Sequence, residues 1–218
     1  MRGRKSFFSR VFSECYNKNM KNIIFDFGGV LVDWNPRHLY RKIFSSEEEM
    51  EYFLTQICNG EWNAKQDAGR PFAQAVAELQ KQYPQYAAQI AVYFDRWEEM
   101  LGGEIPGMAD LVRTLKRKGY KLYGLTNWSA ETFPVARAKY AVFDALDGMV
   151  VSGEEKLIKP DPEIYKCLLS RFQLRAPDCL FIDDSPANVA AARQLGFDAV
   201  RFENAAALER ELKNRNIL

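Results

Sequence analysis

The sequence has a single histidine, His38, and only four cysteines among its 218 residues. The cysteines lie far apart, and no Cys-x-x-Cys pair occurs. A zinc site built from closely spaced cysteine and histidine ligands is therefore excluded. Reduced thiols in a cytoplasmic protein are the interpretation that fits this cysteine usage best.

An excess of charge of one sign and long apolar runs are also missing. The 30 basic residues face 29 acidic ones, which gives a formal net charge of +1. This balance argues against a nucleic acid or a membrane surface as the main partner. No apolar run reaches the roughly 18 residues that a transmembrane helix needs. With 47% hydrophobic residues, the chain can bury a core as one domain, with or without a smaller inserted one.

The first 20 residues differ in composition from the rest, because their basic residues stand against one acid, Glu14. They do not form a secretory signal, since Ser9 and Arg10 interrupt the apolar stretch. We expect residues 1–20 to be a poorly ordered extension, or to precede a true start at Met20. A functional basic arm or a helix that touches a membrane is the alternative.

Periodic patterns divide the remaining chain into two kinds of segment. Residues 22–27 are rich in isoleucine and phenylalanine and predict a buried strand. The stretch that follows, up to Gly102, repeats apolar residues at helical spacing and predicts helices without an intervening strand. From Ile105 onward, helical and strand patterns alternate, which predicts an α/β fold with a parallel sheet covered on both faces.

Polar side chains occur where the predicted strands end: Asp26, Thr126, Asn127, Asp183 and Asp184, with Lys159 in a loop before a helix. Ligands of open parallel sheets bind beyond the carboxyl ends of the strands, so we expect these side chains to converge. Carboxylates bind a hard cation such as Mg²⁺, while a lysine and a hydroxyl bind phosphate oxygens. The set predicts a magnesium-assisted phosphoryl site. Each residue alone also has a plainer explanation, as a helix cap, a turn residue or a solvated charge.

Four short motifs, FDFGGVL, LTNWS, IKPDP and FIDDSPANVAAA, occur in this order along the chain. Together they resemble the motifs of the haloacid dehalogenase superfamily of hydrolases, from Lys21 onward. The resemblance implies a Rossmann-like three-layer core with a parallel sheet and an inserted all-helical cap. The corresponding boundaries are 21–35 and 104–218 for the core and 36–103 for the cap.

The resemblance also implies roles for the residues at the strand ends. Asp26 would attack phosphorus and form an aspartyl-phosphate that water then hydrolyses. Thr126 and Lys159 would bind the transferred phosphoryl group. Mg²⁺ would be held by Asp26, Asp184 and the backbone carbonyl of Gly28.

The glycines of the first motif allow two interpretations. Gly28 and Gly29 let the backbone approach a phosphate closely, so that amide N–H groups can point at its oxygens, or they simply form a tight turn. Gly28 is also a departure from the pattern, because phosphatases of this superfamily typically have a second aspartate there that handles the proton. Positioned acid–base catalysis contributes roughly 100- to 10,000-fold, so we expect slow turnover of poor leaving groups. Asp33 and Asp183 are the nearby carboxylates that could supply the proton.

The first motif resembles a branch of the superfamily with glycine at this position, similar to bacterial sugar-phosphate phosphatases such as those acting on glucose 1-phosphate. Further substrate contacts are expected from Asn127, Trp128 and the polar and aromatic residues of NGEWNAKQDAGR, namely Trp62, Asn63, Asp67 and Arg70. A tryptophan packed in the core is the other explanation for Trp62. The predicted function is a Mg²⁺-dependent phosphatase of a small metabolite. A 2-haloacid dehalogenase and a non-catalytic phosphometabolite-binding protein remain alternatives.

Overall fold

The computed structural model describes residues 20–218. The extension predicted for residues 1–20 lies outside this range, apart from its last residue. Met20 is 9% exposed and belongs to the hydrophobic core.

Five parallel strands form the central sheet, and two further strands form a separate antiparallel pair. In chain order the strands are β1 Asn22–Phe25, β2 Val32–Trp34, β3 Leu101–Glu104, β4 Lys121–Thr126, β5 Gly148–Val151, β6 Cys179–Asp183 and β7 Asp198–Arg201. The order in the sheet is β5-β4-β1-β6-β7, so β1 lies at the centre between β4 and β6. The residues that follow β1, β4 and β6 consequently meet at one edge.

Helices cover both faces of this sheet. In chain order the α-helices are α1 Arg37–Tyr40, α2 Glu47–Tyr52, α3 Gly60–Asp67, α4 Phe72–Gln82, α5 Ala87–Asp95, α6 Met108–Arg117, α7 Phe133–Lys139, α8 Ser152–Glu155, α9 Pro162–Arg171, α10 Pro186–Gln194 and α11 Ala205–Asn214. Across residues 20–218, every helix falls short of what a bilayer span requires in length and hydropathy.

The strands are apolar on both sides because each side faces a separate core. Ile23 and Phe25 of β1 belong to one hydrophobic cluster, whereas Ile24 belongs to the other. Alternate residues of a strand point to opposite faces, so a sheet buried on both faces needs a continuous apolar run. This arrangement confirms the predicted three-layer α/β fold.

The helical segment inserted after β1 extends from α1 to Met100, where a 3₁₀ turn ends. The helices were predicted to continue to residue 103, but Leu101–Glu104 form β3, which pairs with β2. The pairing explains the difference. Gly102 and Gly103 give β3 no strand pattern in the sequence, yet a Cβ atom at Gly102 would overlap the Asp33 carboxylate on β2. The segment thus enters and leaves the core through a two-stranded ribbon.

A second close approach lies beside the end of β1. The ring of Phe27 packs against Phe133 and Phe143, with ring centroids 5.7 and 4.7 Å away. It also lies on Gly124 in β4, where a Cβ atom would overlap the ring. Gly124 therefore makes room for the side chain that follows Asp26.

We expect Gly124→Ala to lower the free energy of unfolding by about 1–3 kcal/mol, because the added methyl group forces the Phe27 ring out of its position. Gly60→Ala is the matched control, since nothing lies within 4 Å of a Cβ atom at Gly60. The control should change stability by less than about 0.5 kcal/mol. Urea unfolding of the two variants measures the difference, and equal effects would contradict the proposed crowding.

Candidate active site

A buried lysine connects two carboxylates at the carboxyl edge of the sheet. Lys159 is 3% exposed, and its Nζ lies 2.9 Å from Asp26 Oδ1 and 2.7 Å from Asp183 Oδ2. The same nitrogen donates to the Leu125 carbonyl at 2.8 Å. An ammonium has three protons to donate, and all three are used. Burial lowers the pKa of Lys159, but the two carboxylates outweigh burial and raise it overall, so the lysine stays charged.

Asp183 is fully buried, and both of its oxygens are occupied. Oδ1 accepts from the Ser185 amide at 2.8 Å and from Asn188 Nδ2 at 3.0 Å. Oδ2 accepts from Lys159 and, at 3.1 Å, from the same Asn188 amide. This geometry supports the role of orienting Lys159 and leaves Asp183 no access to a leaving group.

Asn188 is a residue that the sequence reasoning missed. It reaches Asp183 because α10 begins directly after β6, with Ser185 as its N-cap and Pro186 as its first residue. The signal that was available is the sequence Asp-Asp-Ser-Pro-x-Asn, which places the amide in the first turn of the helix beneath the aspartate.

Asp26 follows β1, and its backbone amide donates to the Ile182 carbonyl at 2.9 Å. Its carboxylate is 8% exposed and accepts from the Phe27 amide at 2.7 Å. Burial raises the pKa of Asp26 to about 7, against the attraction of Lys159 and with a further contribution from Asp183. Asp184 as a residue is exposed, but its carboxyl group is partly removed from water. This desolvation and, after it, the charge of Asp183 raise the pKa of Asp184.

Carboxylate oxygens of Asp26, Asp183 and Asp184 lie within 4.8 Å of one another. When all three carboxyl groups are ionised, they leave two negative charges that the one ammonium does not balance. Oxygen ligands with this excess charge suit a hard divalent cation. Asp26, Asp184 and the Gly28 carbonyl, which receives no backbone hydrogen bond within residues 20–218, could hold Mg²⁺.

Glycine is required at position 29 for a structural reason that does not apply at position 28. Gly29 has φ 77°, and a Cβ atom there would lie 2.7 Å from Asp184 Oδ2. A side chain at Gly29 would therefore be strained and would displace the acid. A Cβ atom at Gly28 meets only the Cβ atom of Trp34, at 3.9 Å. Neither the backbone conformation nor the available space therefore prevents an acidic residue at position 28.

The amides of the two glycines also differ. Gly29 donates to the Val32 carbonyl at 2.9 Å, so its N–H is not free to bind phosphate as the sequence analysis expected. The Gly28 amide has no hydrogen-bond acceptor within residues 20–218. Of the two predicted contacts, the geometry supports only Gly28.

Thr126 and Asn127 end β4 beside Lys159. The Thr126 side chain is fully buried, and its Oγ1 has no hydrogen-bond partner. A buried hydroxyl without a partner costs free energy, so this atom fits a ligand oxygen. Asn127 instead holds the backbone of Lys159, to whose carbonyl it donates at 2.9 Å and from whose amide it accepts at 2.8 Å. Asn127 thus positions the lysine, in addition to lining the cavity described next.

A cavity with a volume of about 60 Å³ lies where the core meets the helical segment. The core side is lined by Gly28, Trp34, Asn127, Trp128 and Thr132. The helical side is lined by Asn63, Asp67, Phe72 and Trp97. This space holds several water-sized groups, next to the position where the superfamily's second acid would stand.

The two tryptophans predicted as substrate contacts differ in position. Trp128 lines the cavity and packs edge-on to Trp97, with ring centroids 5.7 Å apart. Trp62 is 7% exposed and packs edge-on to Tyr93, at 4.9 Å, inside the helical segment. Trp62 is not among the residues that line the cavity, but its ring lies beside Phe72, which does line it, with centroids 6.5 Å apart.

Two other polar residues singled out in the sequence also lie elsewhere. Asp33 pairs with His38, at 2.8 Å between Oδ2 and Nε2, on the two-stranded ribbon. Arg70 donates to Gln66 at 2.8 Å and to Glu78 at 3.2 Å. Neither Asp33 nor Arg70 lines the cavity.

Asp67, the last residue of α3, is the carboxylate in the cavity wall. Its Oδ2 accepts from Asn63 Nδ2 at 2.9 Å, and Asn63 Oδ1 accepts from the Tyr93 hydroxyl at 3.0 Å. Burial raises the pKa of Asp67 to about 7, and the nearby Ser129 amide opposes this shift. No ion pair within residues 20–218 includes Asp67.

Comparison with known proteins gives a family match over residues 20–196, to the haloacid dehalogenase-like hydrolases. The chain belongs to this family of hydrolases. Its relatives include the sesquiterpene phosphatase astK of Aspergillus oryzae, 29% identical over 88% of this chain and 95% of that protein. The D-ribitol-5-phosphate phosphatase of Bacteroides thetaiotaomicron is 26% identical over 88% of this chain and 97% of its own length.

Solved structures share the fold of this hydrolase. A HAD family enzyme of Bacteroides thetaiotaomicron, in a magnesium complex, has a TM-score of 0.68 at 23% identity and covers 88% of this chain and 100% of its own. The L-2-haloacid dehalogenase of Xanthobacter autotrophicus has a TM-score of 0.61 at 20% identity and covers 91% and 84%. Because both kinds of enzyme have this fold, the fold does not distinguish their reactions.

In this hydrolase, Gly29→Ala should lower the free energy of unfolding by about 1–2 kcal/mol, because alanine is strained at positive φ. Gly28→Ala is the matched neighbour, and it should be nearly neutral because its Cβ atom meets only the Cβ atom of Trp34, at the ordinary contact distance of 3.9 Å. Urea unfolding measures both variants. A larger loss at Gly28 than at Gly29 would show that the turn has another geometry.

The raised pKa of Asp67 has a consequence for the pH dependence of stability. A carboxyl group with a higher pKa in the folded state stabilises the fold while it is protonated, and this stabilisation is lost as pH rises from about 4 to about 7. The neutral variant Asp67→Asn lacks this loss. Its free energy of unfolding should therefore rise relative to the wild type, by at least about 1 kcal/mol between pH 4 and pH 8. Urea unfolding at both pH values measures the change, and a constant difference would refute the shift.

Proposed function

We propose that this hydrolase is a Mg²⁺-dependent phosphatase that acts on a small phosphorylated metabolite, with sugar phosphates as the first candidates. The observation that carries the proposal is the group of three carboxyl groups around one buried ammonium, which has two uncompensated negative charges when all three are ionised. A divalent cation compensates that excess and draws a phosphate ester to the same place. A site that binds a neutral substrate has no need for it.

The residues at this edge can divide the chemistry among themselves. Asp26 is the nucleophile, since its Oδ2 has no hydrogen-bond partner within residues 20–218 while its Oδ1 is held by Lys159 and the Phe27 amide. The Thr126 hydroxyl binds an oxygen of the transferred phosphoryl group, and Lys159, whose three protons are already used, stabilises that group through its positive charge. Mg²⁺, when bound, polarises the phosphoryl oxygen and offsets the charge of the carboxylates. Water then hydrolyses the aspartyl-phosphate formed on Asp26.

Relatives support phosphate esters as the substrate class. The full-length matches to a sesquiterpene phosphatase and to a D-ribitol-5-phosphate phosphatase are both named for phosphatase activity. A third relative, 24% identical over 83% of this chain, is the phosphorylated carbohydrates phosphatase of Thermotoga maritima. The cavity wall combines aromatic rings with the amides of Asn63 and Asn127, a mixture that suits a sugar.

The dehalogenase alternative shares the fold but explains the site less well. Dehalogenation also begins with attack by an aspartate, but its halide leaves without a proton or a metal. That reaction gives less reason for a second acid, Asp184, beside Asp26. A non-catalytic protein would bind phosphate equally well, but it would have no need for a nucleophile at the end of β1.

Turnover of a sugar-phosphate panel should require Mg²⁺ and should stop when EDTA removes it, because the carboxylates then repel the substrate. Asp26→Asn should lower kcat by at least about 1,000-fold, since the amide is not a nucleophile. Phosphate release measures both effects. Asp95→Asn, on an exposed residue of α5, is the control and should leave kcat unchanged.

Metal-independent chloride release from 2-chloropropionate would contradict the phosphatase assignment. Full activity of Asp26→Asn would exclude the proposed nucleophile. Tight binding of phosphate esters without any turnover would favour the non-catalytic alternative.

A further inference from the structure

The proposed phosphatase lacks a proton donor at the place where its superfamily usually has one. Gly28 lies two residues after Asp26, and it has no side chain to protonate a leaving alcohol. The two carboxylates considered from the sequence do not replace it. Asp183 is saturated by hydrogen bonds, and Asp33 is paired with His38 outside the cavity.

The space that such a side chain would fill is open. A Cβ atom at Gly28 would point towards Trp34, and both residues line the cavity between the core and the helical segment. Asp67 is the one titratable side chain among the residues that line it. A carboxyl group is therefore present at the cavity, but it comes from α3 and not from the first motif.

The hydrogen bonds around Asp67 fix its position and come from uncharged groups. Asn63 on the same helix donates to its Oδ2 at 2.9 Å, and the Tyr93 hydroxyl on α5 fixes Asn63. The backbone carbonyl of Asp67 accepts from the Ser152 hydroxyl of α8 at 2.5 Å. The amide of Ser129, after β4, faces its carboxylate.

Within residues 20–218, the partners of the Asp67 carboxyl group are the uncharged side-chain amide of Asn63 and the backbone amide of Ser129. Burial therefore decides its protonation, and the pKa of about 7 leaves a substantial fraction neutral at physiological pH. A carboxyl group with this pKa can both donate and accept a proton near neutrality, which is what a general acid that later acts as a base requires.

We propose that Asp67 is the general acid and base of the phosphatase reaction, supplied by the helical segment in place of the missing residue at Gly28. This inference rests on the proposed function.

The proposed reaction has two chemical steps, phosphoryl transfer to Asp26 and hydrolysis of the aspartyl-phosphate. As the bond from Asp26 to phosphorus forms, the bond from phosphorus to the leaving oxygen breaks, and Asp67 gives its proton to that oxygen to release the alcohol. The Asp67 carboxylate then takes a proton from the attacking water. The new bond from water oxygen to phosphorus releases inorganic phosphate and the Asp26 carboxylate, and Asp67 is again protonated.

The test compares two esters that differ in their need for a proton. The alkyl ester of the sugar-phosphate panel with the highest turnover releases an alkoxide that must be protonated, whereas 4-nitrophenyl phosphate releases a stable phenolate. The rates are compared as kcat/KM, which reports phosphoryl transfer to Asp26 and departure of the leaving group but not the later hydrolysis that both esters share. Asp67→Asn should lower kcat/KM for the alkyl ester by about 100-fold or more and for the aryl ester by less than about 5-fold. An unchanged aryl kcat/KM also shows that the variant is folded. Asp95→Asn, again exposed and outside the cavity, is the matched control.

A pH profile supplies a second measurement. In the wild type, kcat for the alkyl ester should fall above about pH 7 as Asp67 loses its proton, and this fall should be absent in Asp67→Asn. Adding Gly28→Asp to Asp67→Asn should recover at least about 10-fold of the alkyl turnover, because that position has room for an acid. If Asp67→Asn does not fold, the wild-type ratio of alkyl to aryl turnover across pH gives the answer, and it should fall above about pH 7.

Equal losses on both esters, or a fall above pH 7 that persists in Asp67→Asn, would overturn the role of Asp67 while the phosphatase function stands. A wild-type ratio that does not change with pH would do the same. Failure of the wild type to hydrolyse either ester with Mg²⁺ would instead overturn the proposed function itself.

Discussion

The buried ammonium of Lys159 is the charge on which the arrangement of this edge of the sheet depends. A charge buried this deeply is tolerated only when it is paired and fully hydrogen-bonded. Asp26 and Asp183 provide the pairing because β1 lies between β4 and β6. Asn127 fixes the backbone of the lysine, and Asn188 satisfies the remaining lone pairs of Asp183. The Asp26 carboxylate therefore has one well-defined position.

The same ion pair divides the carboxylates by function. Asp183 is used entirely inside the protein, whereas Asp26 and Asp184 keep oxygens that face the open edge. Negative charge consequently accumulates where a metal and a phosphate group would enter. The helical segment closes over this edge through the β2–β3 ribbon, and the burial that results raises the pKa of Asp67 at the cavity. The packing of the helical segment on the core thus both closes the site and raises the pKa of Asp67.

Much of the core was predictable because local patterns repeat the tertiary requirement. A strand buried on both faces needs an unbroken apolar run, and a polar residue that follows such a run stands at the ligand-binding edge. Asp26 and Thr126 were found in this way. β3 was missed because its pairing with β2 requires a residue without a side chain at Gly102, next to Asp33. No local sequence pattern shows that requirement. The sequence left a substrate contact and a core position open for Trp62, because spacing on α3 does not show which face packs against Tyr93.

The sequence by itself determined the fold class, the family and the order in which the catalytic residues reach the sheet edge, since these follow from periodicity and from short motifs in order along the chain. Only the tertiary structure decided which of these side chains are already occupied and which share a cavity. Hydrogen-bond saturation distinguishes Asp183 from Asp184, and Asp67 lines the same cavity as Gly28. Both properties arise from contacts between residues far apart in the chain, so the physical reason lies in packing and burial, which spacing along a sequence does not contain.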